Sequence, residues 1–140
     1  DPSTLHAGNK FVGALIAECA KICEEDGQSE HTRRGASMKH RAKFKRIPSG
    51  DIVAAQIQLL GGAPLAVCVE IFRSSARNGE LTTKNHAKQH LKDHDREWHA
   101  IAIIGYQDDP RGEGGGWFDF VNSHGPTWGD GHGFGRLSYK

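Results

Sequence analysis

A histidine and an asparagine in the last third of the chain are the residues best suited to acid–base chemistry. His99 lies at the head of an apolar run, WHAIAIIGY, and Asn122 directly follows a second one, WFDFV. An imidazole can take up and release a proton near neutral pH, and a carboxamide can orient the ring by hydrogen bonding. The two residues form a candidate catalytic pair if the fold brings them together.

The elements around this pair are predicted to be strands. Clusters of Val, Ile, Phe and Trp alternate with Gly, Asp-Asp-Pro and Gly-Pro, a pattern typical of short strands joined by turns. His99 starts one predicted strand and Asn122 ends another, and the glycines at 112, 114, 115 and 116 belong to the hairpin between them. An antiparallel hairpin would place the imidazole near the carboxamide.

The region contains a series of short motifs in a fixed order: His99-Ala100, Gly105-Tyr106, Asn122-Ser123-His124-Gly125, Trp128-Gly129 and 131–136 (GHGFGR). Their order resembles the C-terminal half of a papain-like cysteine protease. In that family a cysteine thiolate attacks, a histidine shuttles the proton and an asparagine orients the histidine. The resemblance assigns these last two roles to His99 and Asn122, and His124 stands where the family usually has a tryptophan that shields their hydrogen bond.

The resemblance implies an α+β papain-like fold in a single domain, residues 1–140. A helical part, about 1–62, would contribute a long N-terminal helix, and a sheet part, about 63–140, a twisted antiparallel sheet. The active site would lie in the cleft between the helix and the sheet. The implied reaction is hydrolysis of peptide bonds in a protein substrate.

The predicted N-terminal helix runs from Phe11 to about Glu25, with an apolar stripe typical of a helix packed on a core, and Gly27 stops it. The family places its nucleophile on the first turn, where the helix N-terminus favours a thiolate. That position here is Ala14. The resemblance also calls for an oxyanion-hole amide shortly before it, and Asn9 is the nearest one, although a turn role suits it equally.

Three explanations for Ala14 stay open. The alanine is an engineered replacement of cysteine that makes the protease inert, or the domain is a natural pseudo-protease that binds peptides. In the third, Cys19 is the nucleophile; we instead interpret Cys19 and Cys23 as core cysteines, because they lie on the apolar stripe. A related Cys–His acyltransferase activity is a further alternative.

The middle of the chain alternates polar and apolar stretches. Residues 28–47 are predicted to be a long basic connection that ends in a short strand, Ala42–Ile47. A helix is predicted over Ile52–Leu60 with Asp51 as its N-cap, followed by a buried strand, Leu65–Phe72.

A metal site is the main rival interpretation. His86, His90 and His94 share one face of a predicted helix, and spaced histidines bind zinc or nickel. The HExxH pattern of zinc hydrolases is missing. We therefore predict solvent-exposed histidines and no metal or other cofactor.

Composition limits the partners. A net charge of +1 argues against nucleic acid as the main partner, and no stretch approaches the roughly 20 apolar residues of a membrane span. Three cysteines without a framework pattern favour action in a reducing cytosol. The start at Asp1 without a methionine favours an excised or mature domain. We expect a toxin-type domain delivered by a secreted bacterial effector, with a peptide or protein substrate and an immunity or inhibitor protein as partners.

Overall fold

A computed structural model describes residues 16–31, 37–72, 79–82 and 96–140, in a mixed α+β fold. The chain divides into two compact units, Asp1–Arg46 and Ile47–Lys140. The first contains α1 (Ile16–Glu25), β1 (Gln28–His31) and β2 (Ser37–His40). The second contains α2 (Ile52–Leu60), β3 (Leu65–Phe72), β4 (Glu80–Leu81), β5 (Arg96–Asp108), β6 (Gly116–Val121) and β7 (Phe134–Ser138).

The first unit differs from its prediction between residues 28 and 47. Strands β1 and β2 pair antiparallel where an irregular connection was predicted, and the strand predicted over Ala42–Ile47 is not formed. The extended segment after β2 is instead held to α1, since the Phe44 N–H donates to the Glu24 carboxylate at 2.6 Å. Backbone pairing, which the polar sequence does not reveal, creates this hairpin.

The predicted long N-terminal helix is not seen. Helix α1 has ten residues, none of them buried, and residues 11–15 lie outside the described part of the chain. Cys19 is exposed, Cys23 is half-buried and Ile22 is 56 % exposed, so the interpretation of the two cysteines as core residues is wrong. An apolar stripe indicates which face of a helix can be buried, but burial also requires a surface to cover it.

The second unit is built on a five-stranded sheet in the order β3-β5-β6-β7-β4. Neighbouring strands are antiparallel except for the short β4, which pairs parallel with β7. The predicted strand Leu65–Phe72 is confirmed as β3, but it is not buried throughout: Ile71 is buried, whereas Ala66 and Cys68 are exposed. Its alternation shows that β3 covers the core with one face only.

The two faces of β5 differ in the same way. His99, Ile101 and Ile103 point to the inner face, which carries the core, while Trp98 and Ile104 are 72 % and 47 % exposed on the outer face. The register with β6 shifts between Ile103 and Gly105, which is a β-bulge at Ile104. The extra residue shifts the alternation of the strand by one, so that Ile103 before the bulge and Tyr106 after it both pack on the core.

Helix α2 covers the inner face of the sheet. Ile52, Ala55 and Leu59 pack against a buried cluster, and the opposite side of the helix, with Val53, is exposed. The cluster consists of Ile101, Ile103, Phe118 and Phe120. Apolar area removed from water contributes about 25 cal/mol per Å², so this contact stabilises the unit.

The N-terminus of α2 is capped as the sequence predicts. The Asp51 carboxylate accepts a hydrogen bond from the Ala54 N–H at 2.9 Å. This satisfies one of the helix's unpaired N–H groups and places a negative charge at the positive end of the helix dipole.

Removal of this cap gives a test of the helix. Asp51→Ala is expected to lower the free energy of unfolding by about 1 kcal/mol, measured by urea denaturation. Asp51→Asn retains an acceptor oxygen and should lose much less. Equal losses in the two variants would show that the hydrogen bond to the Ala54 N–H is not what stabilises α2.

A polar contact also joins α2 to the sheet. Gln56 Nε2 and the Tyr139 hydroxyl both donate to the Asp108 carboxylate, at 2.8 and 3.0 Å. Partial burial is the largest cause that raises the pKa of Tyr139, and the hydrogen bond to Asp108 raises it further, so the hydroxyl stays protonated and can donate.

No helix in the described ranges is both long enough and apolar enough to cross a membrane.

Candidate active site

His99 lies near the start of β5, beyond the buried isoleucines of the same face. It pairs with Val69 of β3 in the antiparallel register and is half-buried. The neighbouring inward residue, Ile101, is 5 % exposed. The imidazole therefore stands at the edge of the core, partly shielded from water and partly accessible from solvent.

Asn122 directly follows β6 and is only 9 % exposed. Its backbone N–H donates to the Gly133 carbonyl at 3.0 Å, and this hydrogen bond closes the loop between the two residues. A buried carboxamide requires hydrogen-bond partners, because an unpaired polar group in an apolar environment is costly.

The register of the sheet brings the two side chains together. Ala102 pairs with Val121, so continuing the ladder by one step places Asn122 opposite Ile101. His99 is two residues further along β5 on the same face, which makes it a diagonal neighbour of Asn122. His99 Nε2 lies 2.7 Å from Asn122 Oδ1. The predicted hairpin contact between His99 and Asn122 is present.

The surrounding hydrogen bonds fix the direction of this contact. The Ser123 backbone N–H lies 2.7 Å from the same Asn122 atom, and an N–H can only donate, so that atom is the carbonyl oxygen. The oxygen can only accept, so Nε2 of His99 carries the hydrogen. In the neutral ring Nδ1 is then left with a lone pair, as a general base requires.

A second imidazole joins the pair. His124 Nδ1 lies 2.9 Å from Asn122 Oδ1, and the rings of His124 and His99 meet edge to face with centroids 5.0 Å apart. The ring centroid of Trp128 lies 5.9 Å from that of His124 and 5.8 Å from that of the buried Phe120. Trp128 connects the imidazole pair to the core.

The loop that carries His124 is closed by a tight turn. The Trp128 carbonyl accepts from the Gly133 N–H at 3.0 Å, and Asp130 Oδ1 accepts from the N–H groups of His132 and Phe134 at 2.8 and 3.2 Å. The hydrogen bond from the His132 N–H is the largest cause that lowers the pKa of Asp130. Desolvation opposes it, and the hydrogen bond from Phe134 lowers the pKa further. The charged carboxylate is thus the form that holds the turn.

This lowered pKa predicts how the turn depends on pH. Because the folded-state pKa of Asp130 lies below its usual value of 3.8, its contribution to stability is complete above about pH 5 and disappears as the pH falls through the folded pKa. Asp130→Ala should have a lower thermal midpoint than the parent at pH 7, and the difference should shrink at pH 3. The difference in thermal midpoint between Asp130→Ala and Asp130→Asn should be the same at both pH values, because neither variant has an ionisable group at this position. A constant parent–alanine gap from pH 7 to 3 would contradict the assignment.

Other predicted site residues lie outside the described residues. These are Ala14, Asn9 and the histidines at 86, 90 and 94, so the nucleophile position, the oxyanion donor and the rival metal site stay predictions. Of the cysteines, Cys19 is exposed in α1, and Cys68 is exposed on the outer face of β3, opposite Ala100. Cys68 therefore points to the face opposite the His99 ring.

The bonding role of His124 was missed in the sequence, where the residue was treated only as a departure from the family pattern. The signal was present: a donor side chain two residues after Asn122 can reach back to the asparagine oxygen across a turn. The turn at Asp130 was also missed, although Asp followed by Gly is a common turn signal.

No family model and no curated protein matches the chain, so the chemistry of the site rests on its own geometry.

Proposed function

We propose that the chain is a papain-like cysteine peptidase domain in which His99 is the general base and acid and Asn122 orients it. The observation that carries the proposal is the 2.7 Å contact between His99 Nε2 and Asn122 Oδ1. It holds the hydrogen on Nε2 and leaves Nδ1 free for a thiol proton. The motif resemblance around these residues supports the same roles.

The nucleophile in this proposal is a cysteine at position 14. Its thiolate attacks the peptide carbonyl after His99 takes the thiol proton, and His99 then returns that proton to the leaving amine. Water hydrolyses the thioester and regenerates the thiol. Asn122 keeps the imidazole in one tautomer through both steps, because its oxygen accepts from Nε2–H throughout. Asn9 is the candidate side-chain donor to the oxyanion.

Ala14 gives the chain as written a different property. A methyl group cannot attack a carbonyl, so this form binds a peptide without cleaving it. That observation favours a second candidate function, a pseudo-protease that captures an extended peptide. Restoring a cysteine at position 14 separates the two, since a pseudo-protease gains no peptidase activity from the change. A Cys–His acyltransferase would share the thiolate but deliver the acyl group to an amine.

The proposed biological setting follows from the sequence. A peptidase domain of a bacterial toxin would act in the cytosol on a protein substrate, and an immunity protein would inhibit it. An alanine at the nucleophile position suits a protein whose activity harms the cell that produces it.

The direct test is the reactivity of a thiol at position 14. In an Ala14→Cys chain, iodoacetamide should label the introduced thiol rapidly below pH 7, where an ordinary thiol with a pKa near 8.5 is mostly protonated. Peptide mapping by mass spectrometry measures the labelling rate at each cysteine separately. The exposed Cys68 gives a reference rate in the same molecule.

The control removes the base. In Ala14→Cys/His99→Gln the labelling rate at position 14 should fall to that of Cys68. An introduced thiol that reacts no faster than Cys68 at any pH would reject the proposed activation. A fast-reacting Cys19 in the parent chain would instead assign the nucleophile to α1.

A further inference from the structure

The carboxamide of Asn122 is held by more donors than one catalytic hydrogen bond requires. Its oxygen receives the Ser123 N–H at 2.7 Å, His99 Nε2 at 2.7 Å and His124 Nδ1 at 2.9 Å. Because the oxygen only accepts, His124 must present Nδ1–H to it, which fixes the tautomer of neutral His124 as well. Two imidazoles therefore donate to the same buried oxygen.

The ring of His124 also limits how His99 can move. The two rings meet at 83°, edge to face, with centroids 5.0 Å apart, and Trp128 lies 5.9 Å from His124, with ring planes inclined at 43°. Trp128 in turn packs on Phe120, which is fully buried. The position of His124 is thus set by the core through Trp128, although His124 itself is exposed to solvent.

The hydrogen bond from Ser123 anchors the carboxamide only to its own stretch of backbone. The donor N–H belongs to the residue next to Asn122, so this bond fixes the side-chain rotamer locally but moves with the backbone at the end of β6. The bond from His124 comes from a ring braced against Trp128 and approaches the oxygen beside the His99 ring. It links the oxygen to a second part of the molecule.

We propose that His124 is a positioning residue, whose Nδ1–H fixes the Asn122 oxygen so that His99 keeps its hydrogen on Nε2 and its lone pair on Nδ1. His124 does not contact the reacting atoms in this scheme. It supplies a hydrogen bond to the orienting amide, at a place where a purely apolar shield would supply none. The catalytic consequence rests on the peptidase function proposed above, whereas the positioning itself does not.

The test uses two replacements of similar shape. Asparagine at this position has a side-chain NH₂ at the place of the imidazole Nδ1–H, and leucine has a methyl group there. In the ¹⁵N-labelled chain, long-range ¹H–¹⁵N correlation identifies which nitrogen of His99 is protonated, and exchange with water measures how well Nε2–H is held. The parent should show a protonated Nε2 on His99 and a protonated Nδ1 on His124.

His124→Leu is expected to speed exchange of the His99 Nε2–H by about tenfold or more, and His124→Asn to restore the parent rate. In the Ala14→Cys background, His124→Leu should lower kcat about tenfold with little change in KM, and His124→Asn should recover it, because small misplacement of a catalytic group costs rate more than binding. An indole signal of Trp128 that is unchanged in both variants shows that the loop is intact.

Equal behaviour of His124→Leu and the parent in the exchange measurement would overturn the positioning role. So would a His124→Asn chain that behaves like His124→Leu. If the Ala14→Cys chain lacks peptidase activity while the exchange rates follow the prediction, the positioning stands and the proposed peptidase function fails. The two proposals are therefore tested separately.

Discussion

Replacing His99 by alanine in an Ala14→Cys chain is expected to lower kcat/KM on fluorescently labelled casein by about 10²- to 10⁴-fold. General acid–base catalysis by a positioned side chain contributes a factor of this size. Without the imidazole, the thiol is deprotonated only by solvent and the leaving amine receives no proton from the protein. Release of labelled peptides over time gives the rate.

A control for this experiment lies next to His99 on the same strand. Trp98 points to the outer face and is 72 % exposed, so Trp98→Ala removes a large side chain without touching the Asn122 contact. It should change kcat/KM far less than His99→Ala does, because its side chain points away from the face that carries the imidazole. Asn122→Ala should fall between the two, because the base remains but its tautomer is no longer fixed. An active His99→Ala chain would exclude His99 as the base.

The largest effect on stability is expected at Phe120. This residue is fully buried in the centre of the sheet, and it pairs with Gly135 of β7. A Cβ on Gly135 would lie 2.6 Å from Phe120 Cζ, so the ring lies directly over the glycine. Phe120→Ala leaves a cavity that these neighbours cannot fill, at a cost of about 3–5 kcal/mol. Urea unfolding followed by tryptophan fluorescence measures the loss.

The adjacent Val121 gives a matched control. It lies on the outer face and is 37 % exposed, so Val121→Ala removes fewer buried atoms and should cost less than about 1 kcal/mol. Total stabilities of small domains are about 5–15 kcal/mol, so the Phe120 variant should lose at least about a fifth of the total. Similar losses in the two variants would contradict the assignment of the core to the inner face.

Local signals predicted much of the second unit. Asp51 predicts the start of α2, because a carboxylate before an apolar run is a strong cap. The apolar run Leu65–Phe72 predicts β3, and the glycines after Asp108 predict the turn between β5 and β6. Given those two strands, the antiparallel register is enough to bring His99 close to Asn122. These features depend on residues that are near in sequence or joined by one hairpin.

Features that depend on more distant contacts were not predicted. The hairpin of β1 and β2 has polar strands, so no apolar alternation marks it. The exposure of Cys19 and Cys68 depends on which surfaces are covered, and a periodic pattern does not specify that. Donation by His124 depends on the path of the loop after β6, which is set by Asp130 and the carbonyl of Trp128.

The central proposal is that position 14 lies beside the imidazole that Asn122 orients. A crystal structure of the chain measures this directly, as the distance from Ala14 Cβ to His99 Nδ1. The proposed site predicts about 5 Å or less, which would leave the sulfur of a cysteine within the roughly 3–3.5 Å of a near-attack contact. An Ala14 methyl more than about 10 Å from Nδ1, beyond the reach of any cysteine rotamer, would contradict it.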